Sequence, residues 1–262
     1  MCAALHTMTP RAWKGRGAPA VGVAGAMATV LFPLPDRDFD ITEVAVPWRL
    51  LTRAGHTVAF ATERGAIAAG DPLLLTGVVF GQLGADPEPR AFYAEMIESP
   101  EFLSPLPYVD IDVARIDGLW LAGGHAQGMR PYLESVVLRE RTQAYWATRK
   151  PVAAICHGVL VLARAGVLAG VKTTCLPKYM ELTAWSLTAW KHGDYYRTYP
   201  ECVEDEVRRL GGDVQAGPIT LVSKGTERSD AGAWIVEDGR YLSARWPGDA
   251  YLLARRFGAL LG

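Results

Sequence analysis

The sequence predicts an α/β protein with a doubly wound, mostly parallel sheet and helices on both of its faces. Three observations favour this class. From Ala28 onward, short β-like runs alternate with helical ones, which is typical of a parallel sheet covered on both sides. The run "PVAAI" is wholly apolar, as a central strand of such a sheet is. A chain of 262 residues, 50% hydrophobic and 21% charged, can bury a large core in one domain.

The elements of the first half follow in order. "ATVLFPL" predicts the first strand and "HTVAFAT" the second. Between them "TEVAVPWRLLTRAG" predicts a helix that is capped by Thr42 and ends at Gly55, with Pro47 near enough to its start to be tolerated. Residues 63–112 are irregular and rich in Gly and Pro, with one helix near "PRAFYAEMIES". They are predicted to form a small inserted cap.

Regular patterns return in the second half. "IDGLWLAGG" predicts a strand that ends in glycines, and a helix after it extends to about Thr148. After "PVAAI" and its helix, a second irregular cap or lid region is expected over residues 176–199. A helix near "EDEVRRLGG", a strand at "ITLVS", a hairpin turning at Asp238-Gly239 and a closing helix with Pro247 near its start complete the chain.

Composition excludes several classes of partner and location. The formal net charge is −1, and acids and bases are mixed, so we expect neither nucleic-acid nor membrane-surface binding. No apolar stretch is long enough for a membrane helix. The four cysteines have no paired metal or disulfide spacing, which favours a reducing cytoplasm. Residues 1–26 are basic and then Ala/Gly-rich and are expected to be a disordered leader, leaving a single domain over 27–262.

A cysteine and a histidine stand at a strand-to-helix junction in "VAAICHGVLVLARAG". Ala154 and Gly158 flank Cys156 at minus two and plus two, the layout of a nucleophile elbow with cysteine in place of serine. A helix start favours the thiolate, so a lowered thiol pKa is predicted. The alternative is a small buried cysteine at the end of a core strand. That alternative leaves the small flanking residues and His157 unexplained.

The segment "AGGHAQG" ends the neighbouring predicted strand. Such a loop usually allows close packing of a helix on a strand. At the carboxyl end of a parallel strand, its backbone amides can also stabilise an oxyanion beside Cys156. Alone, this motif is weak evidence for an oxyanion hole. Together with the elbow at Cys156 it is moderately specific.

Four segments together resemble one family, the ThiJ/PfpI superfamily with its class I glutamine amidotransferase-like fold, a flavodoxin-like α/β arrangement. They are "DFDITEVAVPWRLLTRAGHTVAFAT", "DGLWLAGGHAQGM", "PVAAICHGVLVL" and "SARWPGDAY". The insertion after Thr62 and the segment "CLPKYMELTAW" resemble the larger glyoxalase III and heat-shock chaperone branch more than the compact peptidase-like branch.

The resemblance implies roles for individual residues. Cys156 would be the nucleophile, and Glu43 the acid that contacts its sulfur, protonated because it is held out of water. The backbone amides of Gly124 and His157 would form the oxyanion hole. Without the resemblance, Glu43 would be an ordinary first-turn glutamate at a helix start.

A second acid is implied by spacing within the chaperone branch, where an acid lies four residues after a proline. Pro177 and Glu181 reproduce that spacing, so Glu181 is predicted to orient His157 by a hydrogen bond. The alternative is a solvated glutamate on a helix face. The chaperone branch's full metal-binding set is missing, so no metal is predicted, and the later His192 does not supply the His-x-Glu pair of true glutamine amidotransferases.

The aromatic stretch after the elbow helix leaves two readings open. Trp185 and Trp190 either pack in a core or cover the site and limit substrate size. Lys178 and Arg245 are weaker candidates for anion contacts. The sulfur of Cys156 itself is expected in an open cleft with Glu43 beside it.

The expected function is a cofactor-independent cysteine enzyme of the glyoxalase III kind, converting small 2-oxoaldehydes into 2-hydroxy acids without metal or glutathione. A cysteine hydrolase or hydratase acting on an amide, peptide or isonitrile carbon uses the same site. A redox sensor or chaperone without turnover is a third reading, in which Cys156 is oxidised to a sulfinate. The only partners implied are a small-molecule substrate and a second copy in a homodimer.

Overall fold

A computed structural model of the chain describes residues 27–79, 83–220 and 223–262. The expected leader at 1–26 lies outside these ranges. So do Leu221 and Val222, in the middle of the predicted strand "ITLVS", and the described residues of that stretch are not in a strand. Of the helices that the described residues form, none is both long and apolar enough to pass through a bilayer.

Strands and helices alternate along most of the chain. The strands are β1 (Thr29–Pro33), β2 (Arg37–Phe39), β3 (Thr57–Thr62), β4 (Ala69–Gly70), β5 (Leu106–Pro107), β6 (Gly118–Leu121), β7 (Val152–Ile155), β8 (Lys172–Thr173), β9 (Asp213–Val214), β10 (Ile235–Asp238) and β11 (Tyr241–Ala244). The helices are α1 (Ile41–Arg53), α2 (Pro72–Thr76), α3 (Pro87–Met96), α4 (Arg130–Glu134), α5 (Val136–Ala147), α6 (Val159–Arg164), α7 (Lys178–His192), α8 (Val203–Arg209) and α9 (Ala250–Leu261).

The main sheet has seven strands in the order β10-β11-β7-β6-β1-β3-β5. Every neighbouring pair is parallel except the β10–β11 hairpin at one edge. The chain moves from β1 to β3 in one direction and from β6 to β7 in the other. Because parallel crossovers are right-handed, α1 and α5 lie on opposite faces, and α1 packs against α3 and α9 while α6 packs against α5 and α8. The predicted doubly wound, mostly parallel fold is confirmed.

Helix α1 differs from the prediction at its start and around its proline. Asp40, not Thr42, is the N-cap, and its Oδ1 accepts the amides of Thr42 and Glu43 at 2.8 and 3.1 Å. Pro47 lies in the helix interior. Proline has no N–H for the carbonyl four residues before it, and the indole of Trp120 donates to that carbonyl, Glu43 O, at 2.9 Å instead. The proline thus allows α1 to be tied to β6 at Glu43.

Both regions predicted to be irregular contain helices. The insertion at 63–112 holds α2 and α3, of which α3 packs on α1. Most of 176–199 is the 15-residue helix α7, so its description as irregular was wrong. Residues that favour helices, such as Ala, Leu, Met and Lys, alternate there with Trp, Tyr and Thr, which favour them less, and tertiary packing decides such mixed sequences.

The edge hairpin turns one residue later than predicted. Asp238 pairs with Tyr241, so the two loop residues are Gly239 and Arg240 rather than Asp238 and Gly239. Gly239 has φ of 63°, which suits the first loop position of a type II′ turn.

Candidate active site

The turn between β7 and α6 carries the predicted nucleophile in a strained backbone conformation. Cys156 has φ of 57°, a left-handed value that is unfavourable for a residue with a side chain. Gly158 makes the tight turn possible, because a Cβ there would lie 2.2 Å from the carbonyl oxygen of Leu121 on β6. This geometry is that of a nucleophile elbow.

Glu43 reaches the cysteine from the first turn of α1. Its Oε2 accepts the amide of Gly123 at 2.7 Å, and its carboxyl lies beside the Cys156 side chain. The amide of Asp40 donates to Gly123 O at 2.8 Å, which fixes the helix start against the end of β6. A Cβ on Gly123 would meet the His157 amide at 2.7 Å and Cys156 Cβ at 2.9 Å, so only glycine fits between the two.

His157 lies on the other side of the sulfur. Its Nδ1 is 3.4 Å from Cys156 Sγ, and its Nε2 is 3.1 Å from Thr198 Oγ1. The Thr198 hydroxyl donates its one hydrogen to His125 O at 2.5 Å, so its oxygen accepts a hydrogen from Nε2. In the neutral ring this leaves the lone pair of Nδ1 facing the thiol.

Burial sets the charge state of the three groups. It raises the pKa of the Glu43 carboxyl well above the usual range, and the neighbouring Asp40 adds to the shift. It raises the pKa of the Cys156 thiol and lowers that of the His157 imidazole well below 6.5. The predicted lowering of the thiol pKa is therefore wrong for this closed state, because desolvation outweighs the hydrogen bond from the His157 amide. The resting site consists of neutral groups.

The expected open cleft is not present. Cys156, Glu43 and His157 have no exposed surface. The segment that follows α7, residues 194–199, is here named the roof. Tyr195 and Tyr196 in the roof pack around His125, whose ring is edge-on to that of His157 at 5.2 Å between centroids. The sulfur thus lies among polar and titratable groups under a closed roof, and not in purely apolar packing.

Hydrogen bonds join the roof to distant parts of the chain. The Tyr195 hydroxyl donates to Asp71 Oδ2 at 2.6 Å, and Asp71 caps α2 in the insertion. At the end of α7, His192 Nε2 is 2.6 Å from Val78 O in the same insertion. The guanidinium of Arg130 donates twice to Thr198 O, at 2.8 and 2.6 Å. The insertion therefore holds one end of the roof and α4 the other.

Glu181 does not orient His157, so that prediction is wrong. Both ring nitrogens of His157 face other groups, while Glu181 Oε2 accepts the amide of Val203 at 3.0 Å and Oε1 lies 3.7 Å from Arg197. The side chain is buried, so it is not a solvated helix-face glutamate either. Helix α7 turns this carboxyl toward the start of α8, where it caps the helix.

The other charged candidates form ion pairs within the protein, and the two aromatic candidates are exposed. Lys178 pairs with Asp205 at 2.7 Å, and the buried Arg245 pairs with Asp249 at 2.8 Å. Trp185 and Trp190 are 36% and 68% exposed, so neither is part of the core. Within the described ranges, no group of three or more His, Cys, Asp or Glu side chains is arranged to hold a metal ion.

The oxyanion hole of Gly124 and His157 stays a prediction. Gly124 fits closely, since a Cβ there would lie 2.4 Å from Asp38 O, and the His157 amide is directed at the sulfur. Sequence reasoning missed Gly123, the partner of Glu43, although the Gly-Gly pair was a visible signal. It also missed Thr198, which stands in an aperiodic loop and carries no signal.

Fold and site together define an α/β protein with a cysteine on a strained strand-to-helix turn, flanked by a buried glutamate and a histidine. A family model described as ThiJ/PfpI family-like matches residues 34–207, a range that includes Glu43, Cys156 and His157. The chain therefore belongs to the ThiJ/PfpI family, and the resemblance seen in the sequence is confirmed.

Individual relatives agree with this assignment. An uncharacterized protein of Schizosaccharomyces pombe is 28% identical over 233 residues, covering 85% of this chain and 79% of that protein. A deglycase of Pyrococcus horikoshii is 27% identical over 237 residues, covering 88% and 98%. The crystal structure of glyoxalase III from Candida albicans matches with a TM-score of 0.65 at 17% identity, covering 89% of this chain and 97% of that one; at this identity the match supports the fold alone.

Proposed function

We propose that this protein is a cysteine enzyme that acts on small reactive carbonyl compounds and needs no cofactor. The observation that carries the proposal is the elbow at Cys156, which has φ of 57°, with the Glu43 carboxyl beside its thiol and His157 Nδ1 3.4 Å from its sulfur. The fold shared with glyoxalase III and the similarity to a deglycase support the same substrate class. Within it, we assign a glyoxalase III-like conversion of 2-oxoaldehydes to 2-hydroxy acids.

The first step forms a bond between the Cys156 sulfur and the aldehyde carbon, C1. The thiol proton passes to His157 Nδ1 and from there to the aldehyde oxygen, which gives a hemithioacetal. The imidazole, neutral again, takes the C1 proton, and the proton held by Glu43 goes to the oxygen on C2, which gives an enediol.

The second half returns both protons. The imidazolium protonates C2, and the hydroxyl on C1 gives its proton back to Glu43, which leaves a thioester of a 2-hydroxy acid on the sulfur. Water hydrolyses the thioester and frees the Cys156 thiol. Glu43 and His157 end the cycle in the charge states in which they began.

The closed roof must open for substrate to enter. Opening admits water, and desolvation is the largest cause of the raised pKa of the Cys156 thiol and of Glu43. Substrate entry and thiol activation are therefore coupled. Closure over the bound substrate again excludes water from the enediol.

The test is the conversion of methylglyoxal to lactate by purified protein without glutathione or added metal. The wild type is expected to form lactate, and Cys156→Ala to form none above the uncatalysed rate. Cys202→Ala is the matched control, because Cys202 is also buried and lies outside the site. Lactate formation by Cys156→Ala at the wild-type rate would reject the proposal.

A hydrolase is the second candidate, favoured by the similarity to the Pyrococcus deglycase. The same thiol would attack the carbonyl carbon of an amide. The C–N bond would break, the amine would leave with the thiol proton, and an acyl thioester would remain on Cys156. Intact-protein mass spectrometry distinguishes the reactions, because an accumulating acyl adduct on Cys156 without lactate indicates a hydrolase. A sulfinate on Cys156 with no turnover of either substrate would support redox sensing instead.

The remaining parts of the proposal concern the setting of the enzyme. Its substrate is a small molecule, it is a homodimer, and it works in the cytoplasm. Light scattering of the purified chain tests the dimer, and a monomer at micromolar concentration would contradict it.

A further inference from the structure

His125 contains a buried polar atom for which the protein supplies no partner. The residue is 7% exposed, and its Nδ1 is buried without a hydrogen-bond partner among the described residues. Buried polar atoms are nearly always hydrogen-bonded, and exceptions require an explanation. A ligand that completes the site is such an explanation.

The ring of His125 lies next to that of the proposed base, His157. It stands edge to face with the ring of His157, at 5.2 Å and 85°, and His157 Nδ1 is in turn 3.4 Å from Cys156 Sγ. On its other side the ring packs against Tyr196 in the roof, with 4.7 Å between centroids. His125 thus stands between the sulfur's own partner and the roof, next in sequence to Gly124 of the predicted oxyanion hole.

The backbone of His125 is fixed by the same hydroxyl that orients His157. Thr198 Oγ1 donates to His125 O at 2.5 Å and accepts from His157 Nε2 at 3.1 Å. The two histidines are therefore held relative to each other. A group placed this way is suited to binding a substrate at a defined distance from the attacked carbon.

The charge of His125 limits what it can bind. Burial lowers its pKa to about 4, so the ring is neutral at neutral pH. A neutral imidazole forms hydrogen bonds with an uncharged carbonyl or hydroxyl oxygen. It offers no ion pair to a carboxylate or phosphate.

We propose that His125 binds the oxygen on the carbon next to the one that Cys156 attacks, and thereby selects substrates with two vicinal oxygens. The inference rests on the proposed carbonyl chemistry and adds to it the residue that selects 1,2-dicarbonyls over simple aldehydes. In the hemithioacetal, Nδ1–H donates to the C2 carbonyl oxygen and polarises it. No proton leaves His125, since the proton on that oxygen comes from Glu43.

The test compares two aldehydes as ligands that protect Cys156 from alkylation. Methylglyoxal and propionaldehyde both offer an aldehyde carbon, and only methylglyoxal has an oxygen on the next carbon. The rate of iodoacetamide labelling of Cys156, followed by mass spectrometry over times too short for turnover, gives a protection constant for each aldehyde. Comparing the ratio of the two constants between variants cancels the intrinsic difference in aldehyde reactivity.

His125→Leu and His125→Asn form a matched pair of variants. They have nearly the same shape, and only Asn keeps a hydrogen-bonding group near the position of Nδ1. The quantity compared is the ratio of the protection constant of methylglyoxal to that of propionaldehyde. We expect this preference for methylglyoxal to fall about tenfold or more in the Leu variant and to stay within about threefold of wild type in the Asn variant. Melting temperatures verify folding, and His125→Phe replaces the Leu variant if that variant does not fold.

Each contrary result has its own meaning. An unchanged preference in the Leu variant, or an equal fall in both variants, would overturn the role of His125 while leaving the cysteine chemistry intact. If neither aldehyde protects Cys156 in the wild type, the proposed function itself fails, and the role of His125 fails with it.

Discussion

Among the described residues, the pairs of Glu43 with Cys156 and of Glu181 with Cys202 are both buried, and only the first has the features expected of an active site. Glu43 lies beside Cys156, and Glu181 lies beside Cys202, so that each carboxyl and its neighbouring thiol influence each other's pKa. Both carboxyls are buried, and burial raises the pKa of both, that of Glu181 to about 7. A search by residue type and burial alone would not separate them.

The surroundings of the pairs separate them. Arg197 lies 3.7 Å from Glu181 and donates to Cys202 Sγ at 2.9 Å, so a guanidinium ties the second pair together. Cys202 is an N-cap with φ of −69°. Cys156 instead has φ of 57°, and the lone pair of a histidine faces its sulfur. The strained turn and the neighbouring histidine therefore distinguish the first pair from the second.

The largest expected effect follows from substituting the two glutamates by glutamine. Glu43→Gln can keep the hydrogen bond from Gly123 but has no proton to transfer, so we expect kcat for methylglyoxal to fall by about 10²- to 10⁴-fold. Glu181→Gln should leave kcat within about twofold, because Glu181 makes no contact with His157. Equal losses in both variants would mean that the two carboxyls contribute alike, contrary to the structure.

The next effect concerns stability and its dependence on pH. The pKa of Glu181 is about 7 in the folded protein and about 4.3 in an unfolded chain. The folded state thus holds the proton over this range and the unfolded state does not, so this group's contribution to stability is complete below the lower value and is lost as pH rises through about 7.

Glu181→Gln removes that titration. As pH rises from 5 to 8, we expect the free energy of unfolding of the variant to increase relative to that of wild type by on the order of 1–3 kcal/mol. Urea unfolding of both proteins at several pH values measures the difference. A difference that is constant with pH would show that Glu181 is ionised throughout, paired with Arg197.

The sequence predicted the turn at Cys156 well and the roof over it poorly. Strand periodicity and the small residues around Cys156 act over a few residues, so local pattern was enough to place the elbow. The expected contact of Glu181 with His157 came from a spacing and failed because the orientation of α7 sends the carboxyl to Val203. The closed roof depends on Tyr195 and Asp71, 124 residues apart, and no local pattern encodes that pairing.

A smaller effect is expected from Thr198, the group that fixes the His157 tautomer. Thr198→Val has the same shape and no hydroxyl, so Nε2 loses its acceptor and the ring can turn or change tautomer. We expect kcat to fall about tenfold, with Thr198→Ser within about threefold of wild type. The pH profile of kcat should also shift in the valine variant, because that profile reports the pKa of the catalytic base, and a purely structural role of Thr198 would leave that pKa unchanged. Equal rates in both variants would remove Thr198 from the mechanism.

The smallest expected effect concerns how firmly the roof closes over Glu43 and Cys156. Tyr195→Phe removes the hydroxyl that binds Asp71, which weakens one attachment of the roof by about one hydrogen bond. Iodoacetamide labelling of Cys156 should become about three- to tenfold faster, while labelling of Cys202 in the same sample stays constant. The reason is that Arg197, which contacts the Cys202 thiol, lies at the end of the roof that Arg130 holds. Tyr196→Phe keeps the bond between Tyr195 and Asp71 and is the control. Faster labelling of both cysteines would instead indicate general loosening of the fold. No change at Cys156 would mean that the contact of the roof with Arg130 and that of α7 with Val78 are enough to keep the site closed.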